Sequence, residues 1–282
     1  MIEPRMPLKR PAAVSFHFGA SHNLARLVRT QLFLLCPNNS GSTFLQKALA
    51  TSRNTWNLAL EGQHVLGYAG PRPEQSGLEY VWGSDSDWVE RFQDPASHDW
   101  QRAGQAWYFQ ATSTNPTASV FTTKSPPFLL VADQLAAAFH GSRFLIMVRD
   151  PYATAAGILR SRGASADDGQ DALRSAAAAH LVTCFAAQRR NLERFEQIAA
   201  AFRYETMCEH PGAVEAQIQA LVPALGDVRL AQHIPVKRIY SEPLRNMNAE
   251  QIARLTPRDL KLLNEVFAPH AALFRSFGYE LR

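Results

Sequence analysis

Residues 32–50, LFLLCPNNSGSTFLQKALA, constrain the fold of this chain more than any other stretch. The first four residues are apolar, as in a buried parallel strand, and a polar turn with Pro37 and Gly41 follows. From Ser42 the apolar residues recur at helical spacing. A strand, a short turn and a helix N-terminus form an anion cradle, because the first helical amides lack carbonyl partners and the helix dipole favours negative charge. The sequence therefore predicts a phosphate loop.

The turn offers several donor groups to an anion. Gly41 lets the backbone approach closely, and the hydroxyl groups of Ser40, Ser42 and Thr43 can donate hydrogen bonds. The turn is not a Walker loop, because G-x-x-x-x-G-K-[ST] needs an earlier glycine and a lysine beside the later one. An ordinary helix-capping turn is the alternative interpretation at this stage.

Two further predicted strands end in cationic residues. Residues 119–123 form a short strand that is followed by Lys124, and residues 143–148 form a continuous apolar strand that is followed by Arg149. Continuous apolar character is typical of a parallel strand covered on both faces, and prolines start a helix after each strand. This alternation predicts an α/β fold of three layers, with a mostly parallel central sheet flanked by helices. The carboxyl ends of its strands should meet at one ligand crevice.

Glu61 and His64 follow a brief apolar return to the core at residues 56–60. Residues just past a strand end face the crevice of an α/β sheet, where a catalytic base would lie. A solvated loop carboxylate and a surface imidazole are the alternative interpretations.

The length of 282 residues and the absence of repeats favour a single domain at residues 31–282, preceded by an N-terminal extension at residues 1–30. Residues 65–116 look like a loop-rich insertion that holds four of the five tryptophans. Such an insertion is either a satellite core that covers the main domain or the wall of an acceptor pocket.

Composition and charge limit the classes of ligand and partner that we expect for this protein. A formal charge of +4 without basic runs favours a small phosphorylated ligand over nucleic acid. The three cysteines lie far apart without metal-ligand spacing, so we expect reduced thiols, no metal and a cytoplasmic protein. No apolar run has transmembrane length and no secretory leader is apparent, so we expect no membrane association. Nothing in the sequence specifies an oligomeric state.

Taken together, the motifs resemble those of the sulfotransferases that use 3'-phosphoadenosine 5'-phosphosulfate (PAPS), nearer the protein-tyrosine and bacterial branch. The family loop reads P-[KR]-S-G-T-T followed by Trp, Phe or Leu, and residues 40–44 read S-G-S-T-F. Asn39 stands where the family has Lys or Arg. The segments T-K-S-P-P, F-L-I-M-V-R-D-P, R-Y-E and F-G-Y then follow in the family's order.

The resemblance implies a P-loop nucleotide-binding type of fold and transfer of a sulfuryl group from PAPS to a hydroxyl of a small-molecule or peptide acceptor. It implies that Lys124 neutralises the departing oxygen and that Glu61 is the general base, with His64 as the alternative. No metal is needed. The implied donor-binding residues are Asn39, Ser40, Gly41, Ser42, Thr43, Phe44, Arg149 and Lys237.

Two departures from the family pattern leave alternatives open. Where the family has a serine eight residues after the arginine, this chain has Gly157, so that contact comes from backbone, from Arg160 or Arg162, or is absent. Asn39 removes a positive charge from the loop, which leaves an inactive sulfotransferase-like binding protein as one alternative. A P-loop kinase-like enzyme that uses Mg·ATP is the other.

Overall fold

A computed structural model describes residues 16–17, 21–164, 170–234 and 244–282. Within these residues the strands form one seven-stranded sheet in the order β1-β4-β3-β5-β2-β6-β7. Strands β3, β5, β2, β6 and β7 pair in parallel, whereas β4 pairs antiparallel with both β3 and the edge strand β1. The predicted mostly parallel sheet is confirmed. The strands are β1 (Phe16–His17), β2 (Thr30–Leu35), β3 (Thr55–Asn57), β4 (Thr112–Ser113), β5 (Val120–Lys124), β6 (Ser142–Val148) and β7 (Ala199–Arg203).

Helices cover both faces of this sheet. None within the described ranges combines the length and apolar character that crossing a bilayer requires. The α-helices are α1 (Ser21–Leu27), α2 (Ser42–Leu49), α3 (Ser86–Gln93), α4 (Trp100–Gln110), α5 (Ala132–Ala138), α6 (Pro151–Ser161), α7 (Asp171–Arg194), α8 (Tyr204–Glu209), α9 (Pro211–Leu221), α10 (Asn248–Ile252), α11 (Pro257–Phe267) and α12 (Ala271–Arg275).

The central strand β2 shows why the fold has three layers. Its successive side chains point to opposite faces of the sheet. Leu32 and Leu34 pack in a core with residues of α2 and α9, whereas Phe33 and Leu35 pack in a second core with residues of α4 and α7. Both faces of β2 are therefore buried, which is what its unbroken apolar sequence indicated.

The register of the parallel strands brings the predicted functional residues to one edge of the sheet. Leu34 of β2 pairs with Lys124 of β5, and Leu35 pairs with Ile146 of β6. The phosphate loop follows β2 directly, Lys124 is the last residue of β5, and Arg149 follows β6. This edge is the crevice at the carboxyl ends of the strands.

The region at residues 65–116 contains more helix than the sequence indicated. Helices α3 and α4 lie within it, and its tryptophan side chains serve the core. Trp82, Trp88 and Trp107 are each at most 2 % exposed and share a core with Phe33 of β2. The satellite-core interpretation therefore describes these tryptophans. That residues 31–282 form a single domain stays a prediction.

Helix α7 ends before strand β7 begins. The helical spacing of apolar residues over 167–200 predicts one continuous helix, but α7 spans Asp171–Arg194 and residues 199–203 form strand β7 beside β6. The alanines at the start of β7 favour a helix in isolation, and backbone pairing with β6 overrides that preference.

Candidate active site

A cavity of about 330 Å³ opens at the carboxyl edge of the sheet. Residues of the phosphate loop line it together with Glu61, Lys124 and Arg149. Of the predicted site residues, Asn39, Gly41, Ser42, Thr43 and Phe44 also line this cavity. Lys237 lies outside the described residues.

Gly41 fixes the shape of the phosphate loop. Its φ of 95° is left-handed, and a Cβ atom there would lie 2.8 Å from Cδ2 of Tyr204. The glycine therefore allows both the turn and a close approach of the Tyr204 ring, a contact that the sequence did not show. Helix α2 begins at the next residue, Ser42, so its first amides and its positive dipole end point into the loop.

Two other side chains, those of Ser40 and Trp82, stabilise the phosphate loop by hydrogen bonds. The hydroxyl of Ser40 is fully buried and donates to the carbonyl oxygen of Pro37 at 2.7 Å. The indole Nε1 of Trp82 donates to Oδ1 of Asn38 at 3.1 Å. Ser40, predicted to bind the donor, does not line the cavity, so its hydroxyl holds the turn together.

Lys124 joins two walls of the cavity. Its side chain is 5 % exposed, and Nζ lies 2.8 Å from Oε1 of Glu61 and donates to Oγ1 of Thr43 at 3.3 Å. The structure therefore brings together three residues from the loop helix, the end of β5 and the segment after β3. A buried ammonium group placed between a carboxylate and the phosphate loop is suited to stabilising negative charge that develops there.

The segment after β3 is anchored so that Glu61 meets Lys124. The carbonyl oxygen of Gly62 accepts a hydrogen bond from Nε1 of Trp107 at 2.9 Å, and the amide of Gln63 donates to Oγ of Ser125 at 2.9 Å. A Cβ atom on Gly62 would lie 2.8 Å from Oγ1 of Thr123, so the segment runs against the end of β5. Glu61 is 24 % exposed at the cavity wall.

His64 is directed elsewhere. Its Nε2 lies 3.1 Å from Oε1 of Glu74, and the residue does not line the cavity. The hydrogen bond with Glu74 raises the pKa of His64 above its ordinary value of 6.5, against the opposing effect of partial burial. Because His64 lies outside the cavity lining and its Nε2 contacts Glu74, the geometry does not favour it as a general base for a ligand in the cavity.

The His64–Glu74 pair should stabilise the fold within a limited pH range. The pKa of Glu74 is lowered below 4.5, because the hydrogen bond from His64 and other favourable contacts outweigh desolvation. The raised histidine pKa gives stability that is lost as pH rises through it, and the lowered glutamate pKa gives stability that is lost as pH falls through it. We expect His64→Gln to lower the free energy of unfolding by about 0.5 kcal/mol at pH 5.5, and less at pH 8.5, by urea denaturation. An effect that does not change with pH would contradict the pairing.

Arg149 is the second cation that contacts the phosphate loop. It is 8 % exposed, its Nε donates to Oδ1 of Asn248 at 2.8 Å, and its Nη1 donates to the carbonyl oxygen of Asn39 at 3.0 Å. The guanidinium stacks over the Tyr204 ring at 4.1 Å from the centroid. Desolvation lowers its pKa, but an arginine still keeps its charge near neutral pH. Its Nη2 is buried without a hydrogen-bond partner.

A buried carboxylate supports this arginine. Glu205 accepts hydrogen bonds from the amide of Asp150 at 3.0 Å, from the hydroxyl of Tyr279 at 2.8 Å and from Nδ2 of Asn248. Glu205 is therefore a buried carboxylate whose oxygens accept hydrogen bonds from three donors. Asn248 connects it to Arg149, and sequence reasoning missed this residue because a lone asparagine at a helix start carries no periodic or motif signal.

Asn39 and Gly157, the two departures from the family pattern, lie together. Asn39 has a left-handed φ of 59°, and its side chain lies against Gly157 of α6. Arg160 also lines the cavity, with Nη1 donating to Oε1 of Gln251 at 2.8 Å. Arg162 does not line it.

The donor set of the cavity is suited to an anion. Lysine, arginine and amide groups surround it, and the part of the chain that the structure describes holds no group of three or more His, Cys, Asp or Glu residues able to bind a metal ion. An α/β fold that brings a helix N-terminus, flanking cations and a lysine–glutamate pair to the carboxyl edge of its sheet is typical of proteins with a site for an anionic ligand.

Comparison with known proteins gives the family. The model of the sulfotransferase family matches residues 31–226, which include the phosphate loop, Glu61, Lys124 and Arg149. The chain belongs to the sulfotransferase family. A comparison with curated protein sequences finds no match.

Solved sulfotransferases share the fold. The sulfotransferase from Alicyclobacillus acidocaldarius is 16 % identical, with a TM-score of 0.52 over 90 % of this chain and 98 % of that one. Sulfotransferase STF9 from Mycobacterium avium is 17 % identical, with a TM-score of 0.56 over 92 % of this chain and 80 % of that one. Sulfotransferase STF1 from Mycobacterium tuberculosis is 12 % identical, with a TM-score of 0.54 over 88 % and 79 %.

Proposed function

We propose that this protein is an enzyme that transfers a sulfuryl group from PAPS to a hydroxyl of a small-molecule or peptide acceptor. The observation that carries the proposal is the position of Lys124, whose Nζ contacts both Thr43 of the phosphate loop and Glu61. One cation thus links the place where a 5'-phosphosulfate would bind to the carboxylate that would receive the acceptor's proton. The absence of disulfides among the three cysteines, all of which are described, agrees with a proposed location in the cytoplasm.

Lys124 would act on the leaving group. In sulfuryl transfer a bond forms between the acceptor oxygen and sulfur, and the bond between sulfur and the 5'-phosphate oxygen breaks. The electron pair of the broken bond stays on the phosphate, which leaves as part of adenosine 3',5'-bisphosphate. The ammonium of Lys124 and the first amides of α2 stabilise that developing charge. The positive charge that Asn39 does not provide is therefore supplied from β5.

Glu61 would act on the acceptor. Its carboxylate takes the hydroxyl proton as the acceptor oxygen attacks sulfur, which is worth about two to four orders of magnitude in rate for a well-placed base. Its contact with Lys124 fixes the carboxylate beside the reacting groups, and its partial exposure at the cavity wall leaves it accessible. His64, paired with Glu74 outside the cavity, has no part in this step.

Arg149 would bind the 3'-phosphate of the donor. Its Nη2 is a buried donor without a partner, and an unpaired buried donor carries a cost that an anion would remove. The other groups of the guanidinium already have partners. Its Nε donates to Asn248, its Nη1 donates to the carbonyl oxygen of Asn39, and its plane stacks over the Tyr204 ring. The remaining nitrogen is thus oriented for a ligand.

The acceptor would bind beside Glu61. Tyr80 and Pro126 line the cavity near this carboxylate, whereas none of the tryptophans in the described chain lines it. Tyr80 adopts a left-handed φ of 65°, a conformation that costs energy for an aromatic residue and is found at ligand sites. We therefore place the apolar part of the acceptor against Tyr80, and the tryptophans give no support for an aromatic acceptor.

A comparison of ligands in thermal unfolding tests the proposed donor. Adenosine 3',5'-bisphosphate at 100 times its dissociation constant should stabilise the protein by about 2.7 kcal/mol and raise the unfolding midpoint by about 5 °C. Mg·ATP at the same concentration should give a smaller shift. A shift with Mg·ATP alone would indicate a kinase-like enzyme, and no shift with either would indicate a binding protein of another kind. Transfer of labelled sulfate from PAPS to a panel of alcohols and phenols then tests catalysis.

A further inference from the structure

The side chain of Asn39 is directed toward helix α6. Its backbone is left-handed, with φ of 59°, a conformation that asparagine tolerates better than most residues. A Cβ atom on Gly157 would lie 3.0 Å from Cβ of Asn39 and 3.2 Å from its Cγ. Oγ of Ser161, one turn further along α6, lies 3.5 Å from Oδ1 of Asn39. The amide group therefore occupies the space that the missing side chain of residue 157 leaves open.

Asn39 also holds a donor atom without a partner. Its Nδ2 is buried and has no hydrogen bond within the described residues, as is the case for Nη2 of Arg149. The two residues are neighbours, because Nη1 of Arg149 donates to the Asn39 carbonyl oxygen at 3.0 Å. Both residues line the cavity, and Gly157 and Arg160 line it beside them. Two buried donors that lack acceptors in one small region are explained by an anion that accepts from both.

We propose that Asn39 and Gly157 form a matched pair that determines specificity for a 3'-phosphorylated nucleotide. The Asn39 amide donates to the 3'-phosphate together with Nη2 of Arg149, and Gly157 is required because any side chain there displaces that amide. The proposal rests on the proposed donor. It assigns the Asn39 side chain to the 3'-phosphate end of the site and not to the sulfate end.

Gly157 is otherwise unexplained at its position. It lies inside α6, where alanine is the better helix former, and its φ is not left-handed. The atoms nearest to a Cβ at this position all belong to Asn39. The space taken by the asparagine is thus the reason for the glycine.

The test measures the affinities of adenosine 3',5'-bisphosphate and adenosine 5'-phosphate by calorimetry, since their ratio isolates the 3'-phosphate. Asn39→Gly removes the amide at a φ that glycine tolerates, and we expect the ratio to fall about 10-fold. Asn39→Asp is isosteric but places a negative charge beside the phosphate, and we expect a fall of about 100-fold. Adenosine 5'-phosphate should keep its affinity within about threefold in the glycine variant.

Gly157→Ala should lower the same ratio about 10-fold, because its Cβ pushes the Asn39 amide away. Gly212→Ala in α9 is the matched control, since a Cβ there meets no atom within 4 Å, and it should leave the ratio unchanged. In the Asn39→Gly background, Gly157→Ala should have no further effect, which gives a strong coupling in the double-mutant cycle. Melting temperatures of all variants show that each is folded.

Three results separate the possible failures. An unchanged ratio in Asn39→Gly and Gly157→Ala, with normal binding by the unchanged protein, would overturn this inference and leave the proposed donor intact. An equal loss of affinity for both nucleotides would also overturn it, because Asn39 would then act at the 5'-phosphate. No binding of adenosine 3',5'-bisphosphate by the unchanged protein would contradict the proposed function, and this inference with it.

Discussion

Lys124→Ala should lower kcat for sulfuryl transfer about 10³-fold while the affinity for adenosine 3',5'-bisphosphate changes by less than about threefold. The large effect on kcat is expected because the ammonium stabilises charge that appears only as the bond to sulfur breaks. In the bound product nucleotide, the amides of α2 and Arg149 still hold the two phosphates. Single-turnover transfer of labelled sulfate measures the rate, and calorimetry measures the affinity.

Two companion variants test whether that loss comes from the missing ammonium group itself. Lys261→Ala removes the same charge from an exposed position on α11 and should keep full activity. Lys124→Ala also leaves the Glu61 carboxylate without its cation, so the double variant Lys124→Ala/Glu61→Gln removes both charges. It should remain as inactive as the single variant. Retained turnover in Lys124→Ala would overturn the assignment, and recovery of activity in the double variant would show that the loss came from the unpaired carboxylate.

The sequence predicted the parts of the site that lie at the ends of regular elements. The phosphate loop, Lys124 and Arg149 each follow a short apolar run, and parallel strands must bring their carboxyl ends to one edge. The position of Glu61 at the crevice was predicted from the short apolar segment that precedes it, but its contact with Lys124 was not predicted. The sequence did not show that this segment contains strand β3, because three residues give too little periodicity to distinguish a strand from a loop.

Contacts between distant segments could not be predicted. Gly41 was expected for its approach to an anion, but the structure shows that it also makes room for the Tyr204 ring. The sequence did not indicate that Asn248 belongs to the site, because its contacts are with Glu205 and Arg149, which lie far from it along the chain. The position of the Asn39 side chain depends in the same way on the space above Gly157. Each of these features is set by packing, which local sequence does not encode.

The second large effect is expected on stability, from the hydrogen bonds that the buried Glu205 carboxylate accepts. Glu205→Ala should lower the free energy of unfolding by about 3 kcal/mol or more, because the Asp150 amide, the Tyr279 hydroxyl and the Asn248 amide would lose a buried acceptor. Tyr279 is buried at 6 % exposure, and this burial raises the pKa of its hydroxyl. Urea denaturation measures the loss. Glu209→Ala, at an exposed position on the same helix, should cost less than about 0.5 kcal/mol.

The hydrogen bonds from Glu205 through Asn248 to Arg149 should also determine the affinity for the sulfuryl donor. A change in donor affinity distinguishes a role in orienting Arg149 from a role in stability alone. Asn248→Ala keeps Glu205 and its bonds to Asp150 and Tyr279 but frees Nε of Arg149, so we expect the KM for PAPS to rise about 10-fold with kcat within about threefold. Glu205→Gln keeps an acceptor oxygen for Asn248 and should recover most of the affinity that Glu205→Ala loses. A folded Asn248→Ala variant with an unchanged KM would contradict this prediction. It would show that the Tyr204 ring and the Asn39 carbonyl alone orient Arg149.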